Sequence, residues 1–169
     1  GVVNFITRDD FEGFGFESSY SIAEEGDANI FDANLTYGMD LPGVDGHISF
    51  FAGYYDRDPV FGSARTLSQQ PYIDTWEGEL IIGGSSSIPA GLVRAPRVDL
   101  GNGPRDRLTF NPDGSPKAFV SPDDLYNYAP VNYLQTPLTR YTAGAFGTLP
   151  VGDDFEGYFE ASFTRNEST

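Results

Sequence analysis

Apolar and polar residues alternate with a period of two in five segments of the sequence. In residues 14–22, Phe14, Phe16 and Tyr20 share one parity, and glycine, serine and glutamate occupy the other. The same alternation recurs in four further segments, which are residues 29–41, 48–54, 141–149 and 155–164. Successive side chains of a β-strand point to opposite faces, so the pattern predicts five strands with one apolar face each.

Clusters rich in glycine, proline and acidic residues connect most of these segments. They lie at residues 24–27, 42–46 and 150–154 and predict short turns. The remaining connection is an excursion of residues 56–139, which holds most of the 12 prolines and is expected to be largely irregular. Within the excursion, a turn sequence at residues 111–114 separates two short apolar runs and predicts one small hairpin.

Composition narrows the chemistry that the chain can perform. The net charge is −15, and nucleic-acid binding needs a basic surface, so no nucleic-acid partner is expected. The sequence has no cysteine and a single histidine, His47, which excludes disulfides, cysteine-bound metals and multi-histidine sites. We expect no metal and no cofactor. Acidic pairs such as Asp123-Asp124 are adjacent rather than facing across a cleft, and no triad accompanies His47, so no enzyme is expected.

Two classes of β-protein explain the alternation. A soluble β-sandwich or part of a β-propeller buries one face of each strand, whereas an outer-membrane barrel presents that face to lipid. The barrel is favoured because the apolar parity is uncharged in the strand interiors, and because long excursions are unusual in compact soluble domains. The charged strand residues fall on the polar parity, as a wet interior requires, and are Glu17, Asp32, Asp40, Glu156 and Glu160.

The expected fold is therefore all-β, an antiparallel up-and-down meander. The turns at residues 42–46 and 150–154 would lie at one end of the strands. Residues 24–27 and the excursion would lie at the other end. Outer-membrane barrels have tight periplasmic turns and longer external loops, so the excursion is expected to be external.

Several stretches resemble one protein family. Residues 1–8, with the sequence GVVNFITR, resemble the end of the plug domain in TonB-dependent outer-membrane receptors, and residues 10–13 resemble the bridge into the first barrel strand. Residues 128–137 resemble a stretch before a barrel strand in a proteobacterial branch of that family. Residues 155–164 are similar to one of its outward-facing strands.

The resemblance implies a 22-stranded barrel around a plug. Residues 1–10 would end the plug, and residues 11–169 would form about the first five barrel strands, with a long external loop at about 56–139. The parent protein would import a siderophore, saccharide or other nutrient across the outer membrane of a Gram-negative bacterium. Its partner, the TonB complex, would act through an N-terminal part outside this sequence. Most of the plug and about seventeen strands would also lie outside it.

The excursion holds the best candidates for contact with a small-molecule or oligosaccharide ligand. Aromatic rings stack on sugars or aromatic chelates, and arginine pairs with anionic groups. Packing within the loop is the alternative role for the same residues. The candidates are Tyr72, Trp76, Arg94, Arg97, Arg105 and Arg107.

Two other functions fit the same pattern. One is a secreted, soluble β-sheet binding module. The other is self-association, because five strands alone leave two open edges, and residues 1–7, 48–55 and 158–164 are β-prone with little charge. Such a fragment would be extracellular and would form filaments by edge pairing or in-register stacking. The net charge of −15 opposes in-register stacking unless cations or buried ion pairs compensate.

Overall fold

The computed structural model describes residues 11–100 and 104–168. These residues are 55% strand and 6% helix with antiparallel sheets, which confirms the predicted all-β antiparallel fold. The strands in chain order are β1 (Gly13–Ser21), β2 (Ile30–Asp40), β3 (His47–Arg57), β4 (Val60–Phe61), β5 (Tyr72–Asp74), β6 (Leu80–Ile82), β7 (Val93–Asp99), β8 (Pro104–Phe110), β9 (Pro116–Ala118), β10 (Tyr133–Gln135), β11 (Leu138–Val151) and β12 (Phe155–Glu167). Three short 3₁₀ turns occupy Gly62–Ala64, Thr66–Ser68 and Ala129–Val131.

The chain divides into two compact units. Unit 1 contains the described residues 11–60 and 135–168, and unit 2 contains residues 61–134 without the gap at 101–103. In unit 1 the strands form one five-stranded sheet in the order β1-β2-β3-β11-β12. Each strand pairs with its neighbour along the chain, except that unit 2 is inserted between β3 and β11. The predicted meander is therefore present, with β1 and β12 as its edges.

Tight turns explain how the long strands reverse. Between β2 and β3, the Leu41 amide donates to the Gly46 carbonyl at 2.8 Å, and Gly43 has a φ of 82° that favours glycine. Between β11 and β12, Gly152 has a φ of 72°. Pro150 is tolerated inside β11 because the pairing with β3 ends at Thr148, so its missing amide hydrogen leaves no β3 partner unsatisfied.

A polar network secures the opposite end of this sheet, where the chain leaves β3 for unit 2. The Tyr20 hydroxyl donates to Asn29, whose side-chain amide donates to the Asp58 carboxylate at 2.7 Å. The Asp58 amide donates back to the Asn29 carbonyl, and the Gln135 side chain donates to the Asp58 carbonyl. These bonds satisfy backbone groups beyond the strand ends and fix the points where the chain enters and leaves the sheet.

Unit 2 contains more strand than the sequence pattern indicated. The predicted hairpin at residues 111–114 is present, since β8 pairs with β9 around a turn in which the Gly114 amide donates to the Asn111 carbonyl. The expectation of an otherwise irregular excursion was wrong. Strand β7 adds a third strand to that hairpin, and β5 pairs with β6 in a separate hairpin. β5 and β6 are three residues long, which is too short for a clear alternation in the sequence.

Few apolar side chains are buried. Among the described residues, only Val60 and Leu108 are buried hydrophobic side chains. Thr109, next to Leu108, is 1% exposed and donates its hydroxyl to the Gly91 carbonyl at 2.9 Å. A folded domain normally buries many apolar residues. Most aromatic side chains of the described residues are instead exposed.

Candidate functional site

The five-stranded sheet has two chemically different faces. The register places Phe14 opposite Tyr37, Tyr37 opposite Phe50, and Phe50 opposite Ala145, so these side chains share one face. We call this the apolar face. Its large members are Phe14, Phe16, Tyr20, Phe31, Leu35, Tyr37, Ile48, Phe50, Tyr54, Tyr141, Leu149, Val151, Phe155, Phe159 and Phe163. Phe14, Leu35, Phe50 and Phe159, from four different strands, lie together on this face.

The apolar face is exposed rather than packed. Phe14 is 67% exposed, Phe16 is 60% exposed and Phe163 is 60% exposed. Contacts between rings occur along the face: the Phe31 and Tyr54 centroids are 6.1 Å apart, and those of Tyr54 and Tyr141 are 5.3 Å apart. In a soluble protein such a face would cover a core, and no element of unit 1 covers it in the described residues.

Charge reaches the apolar face only at one end of the sheet. Asp56 lies opposite Thr139, Thr139 lies opposite Glu167, and Arg165 pairs with Glu167. The Thr139 hydroxyl donates to the Asp56 carboxylate at 2.8 Å. From Tyr141 to the turn at residues 152–154, the apolar face of β11 is uncharged. Between these two ends, the apolar face of β11 therefore carries no charged side chain.

The other face, which we call the polar face, carries the strand carboxylates. Glu17, Asp32, Asp40, Glu156 and Glu160 all lie on it, as the alternation predicted. The Asp40 carboxylate is 2.9 Å from Nδ1 of His47, and the Arg140 guanidinium donates to Asn166 at 2.7 Å.

The middle of the polar face contains a cavity of about 380 Å³. It is lined by Phe11, Gly15, Glu17, Asn34, Thr36, Ser49, Phe50, Phe51 and Phe146. The rings of Phe51 and Phe146 stack with centroids 5.6 Å apart on its wall. Among the described residues, the Ser49 hydroxyl and Nε2 of the nearby His47 are buried without a hydrogen-bond partner.

Phe11 shows where the chain runs before β1. A side chain at Gly38 would overlap the Phe11 carbonyl group, and one at Gly15 would come within 3.3 Å of the Phe11 ring. The chain therefore crosses the polar face on two glycines before it enters β1. Sequence reasoning missed this cradle, although glycine on the polar parity of two neighbouring strands was a visible signal.

In unit 2, the structure brings two of the six predicted ligand-contact residues together. Arg94 in β7 lies directly opposite Arg107 in β8. The Arg107 guanidinium carbon is 5.5 Å from the ring centroid of Phe119, a distance typical of a cation–π contact. Arg105 lies opposite Val98 in the same sheet, and Arg97 lies in β7 at a register shift. The side chains of Arg97 and Arg105 lie outside the described part of the chain.

The other two candidates lie in a different sheet. Tyr72 opens β5, and Trp76 follows β5 in the turn to β6, where it is fully exposed. In that turn the Gly78 amide donates to the Thr75 carbonyl at 2.9 Å. Tyr72 and Trp76 therefore lie on another hairpin than the arginines, and the contact of the six residues with a ligand stays a prediction.

Near the arginines, one ion pair fixes a loop of unit 2. The Asp124 carboxylate accepts hydrogen bonds from Nζ of Lys117 at 2.5 Å and from the Val120 amide at 2.8 Å. The hydrogen bond from Lys117, followed by that from Val120, lowers the pKa of Asp124 below its ordinary value. The pKa of Asp113 is also lowered, because the Ser115 hydroxyl and the Ser115 amide both donate hydrogen bonds to its carboxylate. Both carboxylates are thus engaged in local structure.

Among the described residues, no group of three or more histidine or acidic side chains is arranged to hold a metal ion. None of the helices in that part of the chain is long and apolar enough to cross a membrane.

Comparison with known proteins finds no matching protein family, no similar curated protein and no similar solved structure.

Proposed function

We propose that this chain forms part of the wall of an outer-membrane β-barrel transporter similar to the TonB-dependent receptors. Such a protein imports a siderophore, a saccharide or another nutrient and catalyses no reaction. One observation carries the proposal: the sheet exposes its aromatic, largely uncharged face and carries most of its strand carboxylates on the other face. Lipid is the medium that stabilises an exposed face of this kind.

The strand dimensions support a membrane span. From Tyr141 to Val151, ten residue steps correspond to about 33 Å along the strand. A tilt of about 40° reduces this length to about 25 Å, which is the height of the apolar band of an outer-membrane barrel. Tyr20, Phe31, Tyr54 and Tyr141 lie near one end of the face, where such barrels carry an aromatic girdle.

The connections also differ between the two ends of the sheet. The turns at residues 41–46 and 152–154 are short and lie at one end. The connection at residues 22–29 and the whole of unit 2 leave from the other end. This asymmetry is typical of barrels with short periplasmic turns and long external loops. This asymmetry supports the proposal that the long connection containing unit 2 is external.

The crossing of the polar face by Phe11 supports an occupied barrel interior. The predicted end of the plug, residues 1–10, lies outside the described residues. In the proposed protein, the preceding plug would fill the interior and contact the TonB complex. Outer-membrane lipid and a small-molecule or oligosaccharide ligand are the other proposed partners.

The two alternative functions make different demands on the same faces. A secreted binding module would need a buried core, and the described residues bury few apolar side chains, with Val60 and Leu108 as the buried hydrophobic ones. Filament formation depends on the open edges β1 and β12 and stays a prediction. Neither alternative explains why charge is confined to one end of the apolar face.

Cell fractionation tests the proposal. The protein, expressed in a Gram-negative host with the flanking sequence that its gene encodes, should be recovered in the outer membrane. It should also migrate differently on a denaturing gel before and after boiling, as closed barrels resist unfolding by detergent. Recovery from the culture supernatant, with identical migration in both samples, would contradict the proposal and favour the secreted module.

A further inference from the structure

Two positive charges face each other in the three-stranded sheet of unit 2. Arg94 and Arg107 are direct cross-strand partners, so their Cβ atoms are about 5 Å apart. Like charges in this position destabilise a sheet. Both side chains are exposed, in a chain whose net charge is −15. The pairing therefore destabilises the sheet locally and concentrates positive charge in a strongly acidic protein.

No carboxylate offsets this repulsion in the described part of the chain. Arg107 contacts the Phe119 ring, and Lys117, which lies on the same face of the sheet, is already paired with Asp124. Asp106 precedes Arg107 in β8, and adjacent strand residues point to opposite faces. Neither arginine forms an ion pair with a described residue. The two guanidinium groups thus retain donors for an external acceptor.

An open cavity of about 570 Å³ adjoins the segment that leads into β7. It is lined by Ser86, Ser87, Ile88, Pro89, Leu92 and Tyr126. Leu92 lies two residues before Arg94, a separation of about 7 Å along the strand direction. The lining combines hydroxyl groups with apolar side chains, which suits the uncharged body of a small organic molecule.

We propose that Arg94 and Arg107 together bind an oxyanion, a carboxylate or a phosphate, of a small ligand whose uncharged body occupies this cavity. Guanidinium groups donate paired hydrogen bonds in a planar geometry that matches both anions. One anion between two arginines also removes their mutual repulsion. This inference rests on the proposed transport function and narrows its ligand from any nutrient to an anionic one.

Protection of individual arginines from phenylglyoxal tests the site. The whole protein is treated with this arginine reagent, and the modification rate of each arginine is read by peptide mass spectrometry. Inorganic phosphate or acetate, compared with sodium chloride at equal ionic strength, should slow the modification of Arg94 and Arg107. Arg65, elsewhere in unit 2, serves as the internal control and should be unaffected. Equal protection of all three arginines, or of none, would overturn the proposal.

Variants sharpen the same measurement. Arg94→Gln should weaken the protection of Arg107 by phosphate about tenfold or more, since one charge-assisted contact is lost. Arg65→Gln removes the same charge and should leave that protection unchanged. Because wild-type protection requires no substitution, a variant that fails to fold leaves the test intact. Unchanged protection of Arg107 in a folded Arg94→Gln protein would contradict the paired site.

The source of the anion is tested separately. Vesicles of phosphatidylcholine with and without phosphatidic acid replace free phosphate in the same assay. Protection by soluble phosphate alone supports a small ligand, whereas protection only by the acidic vesicles would replace it with a lipid headgroup and overturn the proposal. The result is independent of cell fractionation: a protein that binds phosphate but is recovered from the supernatant would retain the site and lose the transport function.

Discussion

The two units of this chain use β-structure in opposite ways. The strands of the unit 1 sheet are nine to 14 residues long, and each separates apolar from polar side chains over most of its length. The strands within unit 2 are at most seven residues long and form separate small sheets. Long alternating strands create a continuous apolar surface, whereas short strands create local hairpins. Under the proposed function, the apolar surface of unit 1 faces lipid, and the hairpins of unit 2 face water.

The two units also differ in where their charged side chains lie. In unit 1 most strand carboxylates lie on the polar face, and charge on the apolar face is restricted to one end of the sheet, at Asp56, Arg165 and Glu167. In unit 2 the β7–β8 pair places two arginines on one exposed face. The sheet of unit 1 thus sorts charge as a lipid-facing wall does, and unit 2 displays charge as a water-exposed binding surface does.

Charge placed at the centre of the apolar face should have the largest effect. Leu35 is the middle residue of β2, and Asn34 beside it points to the polar face. Leu35→Arg should lower the free energy of unfolding in lipid by about 2–4 kcal/mol, as for charge at a bilayer midplane. Asn34→Arg should have little effect. Urea titration of the protein in phospholipid vesicles measures both.

The matched pair separates the barrel from a soluble sheet. If the apolar face instead contacts water, Leu35→Arg should be tolerated as well as Asn34→Arg, because both side chains would be solvated. Equal stability of the two variants would therefore remove the main support for a membrane wall.

The sequence pattern predicts the long strands of unit 1, but not the residues at which they end. Alternation located β12 at residues 155–164, yet the strand continues to Glu167. Arg165 and Glu167 interrupt the apolar parity, so the pattern ends before the hydrogen-bonded strand does. Charge is acceptable there because the sheet end is where side chains reach water. A pattern of hydrophobicity reports the environment of a strand rather than its backbone pairing.

A methyl group at Gly38 should have the next largest effect. Its Cβ would overlap the Phe11 carbonyl, so Gly38→Ala should displace the segment before β1 at a cost of about 1–3 kcal/mol. Gly157→Ala is the control, because its Cβ would meet only ordinary contacts of 3.4 and 3.6 Å. Chymotrypsin should cleave after Phe11 faster in the first variant only. Unchanged cleavage would show that Phe11 does not depend on the glycine cradle.

Loss of the Asp124 carboxylate should destabilise unit 2 less, by about 1 kcal/mol. Asp124→Asn removes the ion pair with Lys117, and hydrogen exchange of the Val120 amide should accelerate. Asp123→Asn, at an exposed neighbouring carboxylate, is the control. Exchange that accelerates equally in both variants would indicate a general charge effect.

The same carboxylate makes the loop sensitive to acid. The pKa of Asp124 is lowered in the folded protein by its bonds to Lys117 and Val120. Its contribution to stability is therefore complete above the ordinary carboxyl pKa and disappears as the pH falls through the lower, folded pKa. Protection of the Val120 amide, corrected for the intrinsic pH dependence of exchange, should decrease in that acid range in the wild-type protein. In Asp124→Asn the decrease should be absent.

The arginine pair illustrates what sequence reasoning could not supply. Residue type identified Arg94 and Arg107 as candidates, because guanidinium groups bind anions. Their juxtaposition depends on the register of β7 against β8, which the sequence pattern did not reveal, since β7 was not recognised as a strand. Tyr72 and Trp76 were candidates by the same reasoning and lie in another hairpin. Composition can nominate binding residues, but only pairing shows which of them act together.

The smallest expected effect is a gain in stability at this pair. Arg94→Glu turns a like-charged cross-strand pair into an opposite-charged one and should stabilise unit 2 by about 0.2–1 kcal/mol. Arg107→Glu should gain less, because it also loses the contact with Phe119. Thermal unfolding at low salt measures both, and high salt should reduce the gain by screening. Phosphate should stabilise the wild-type protein and neither variant, since binding to the folded state alone raises its stability. A wild-type protein that is already more stable than Arg94→Glu without any anion would mean that the two arginines are held by structure and not by a ligand.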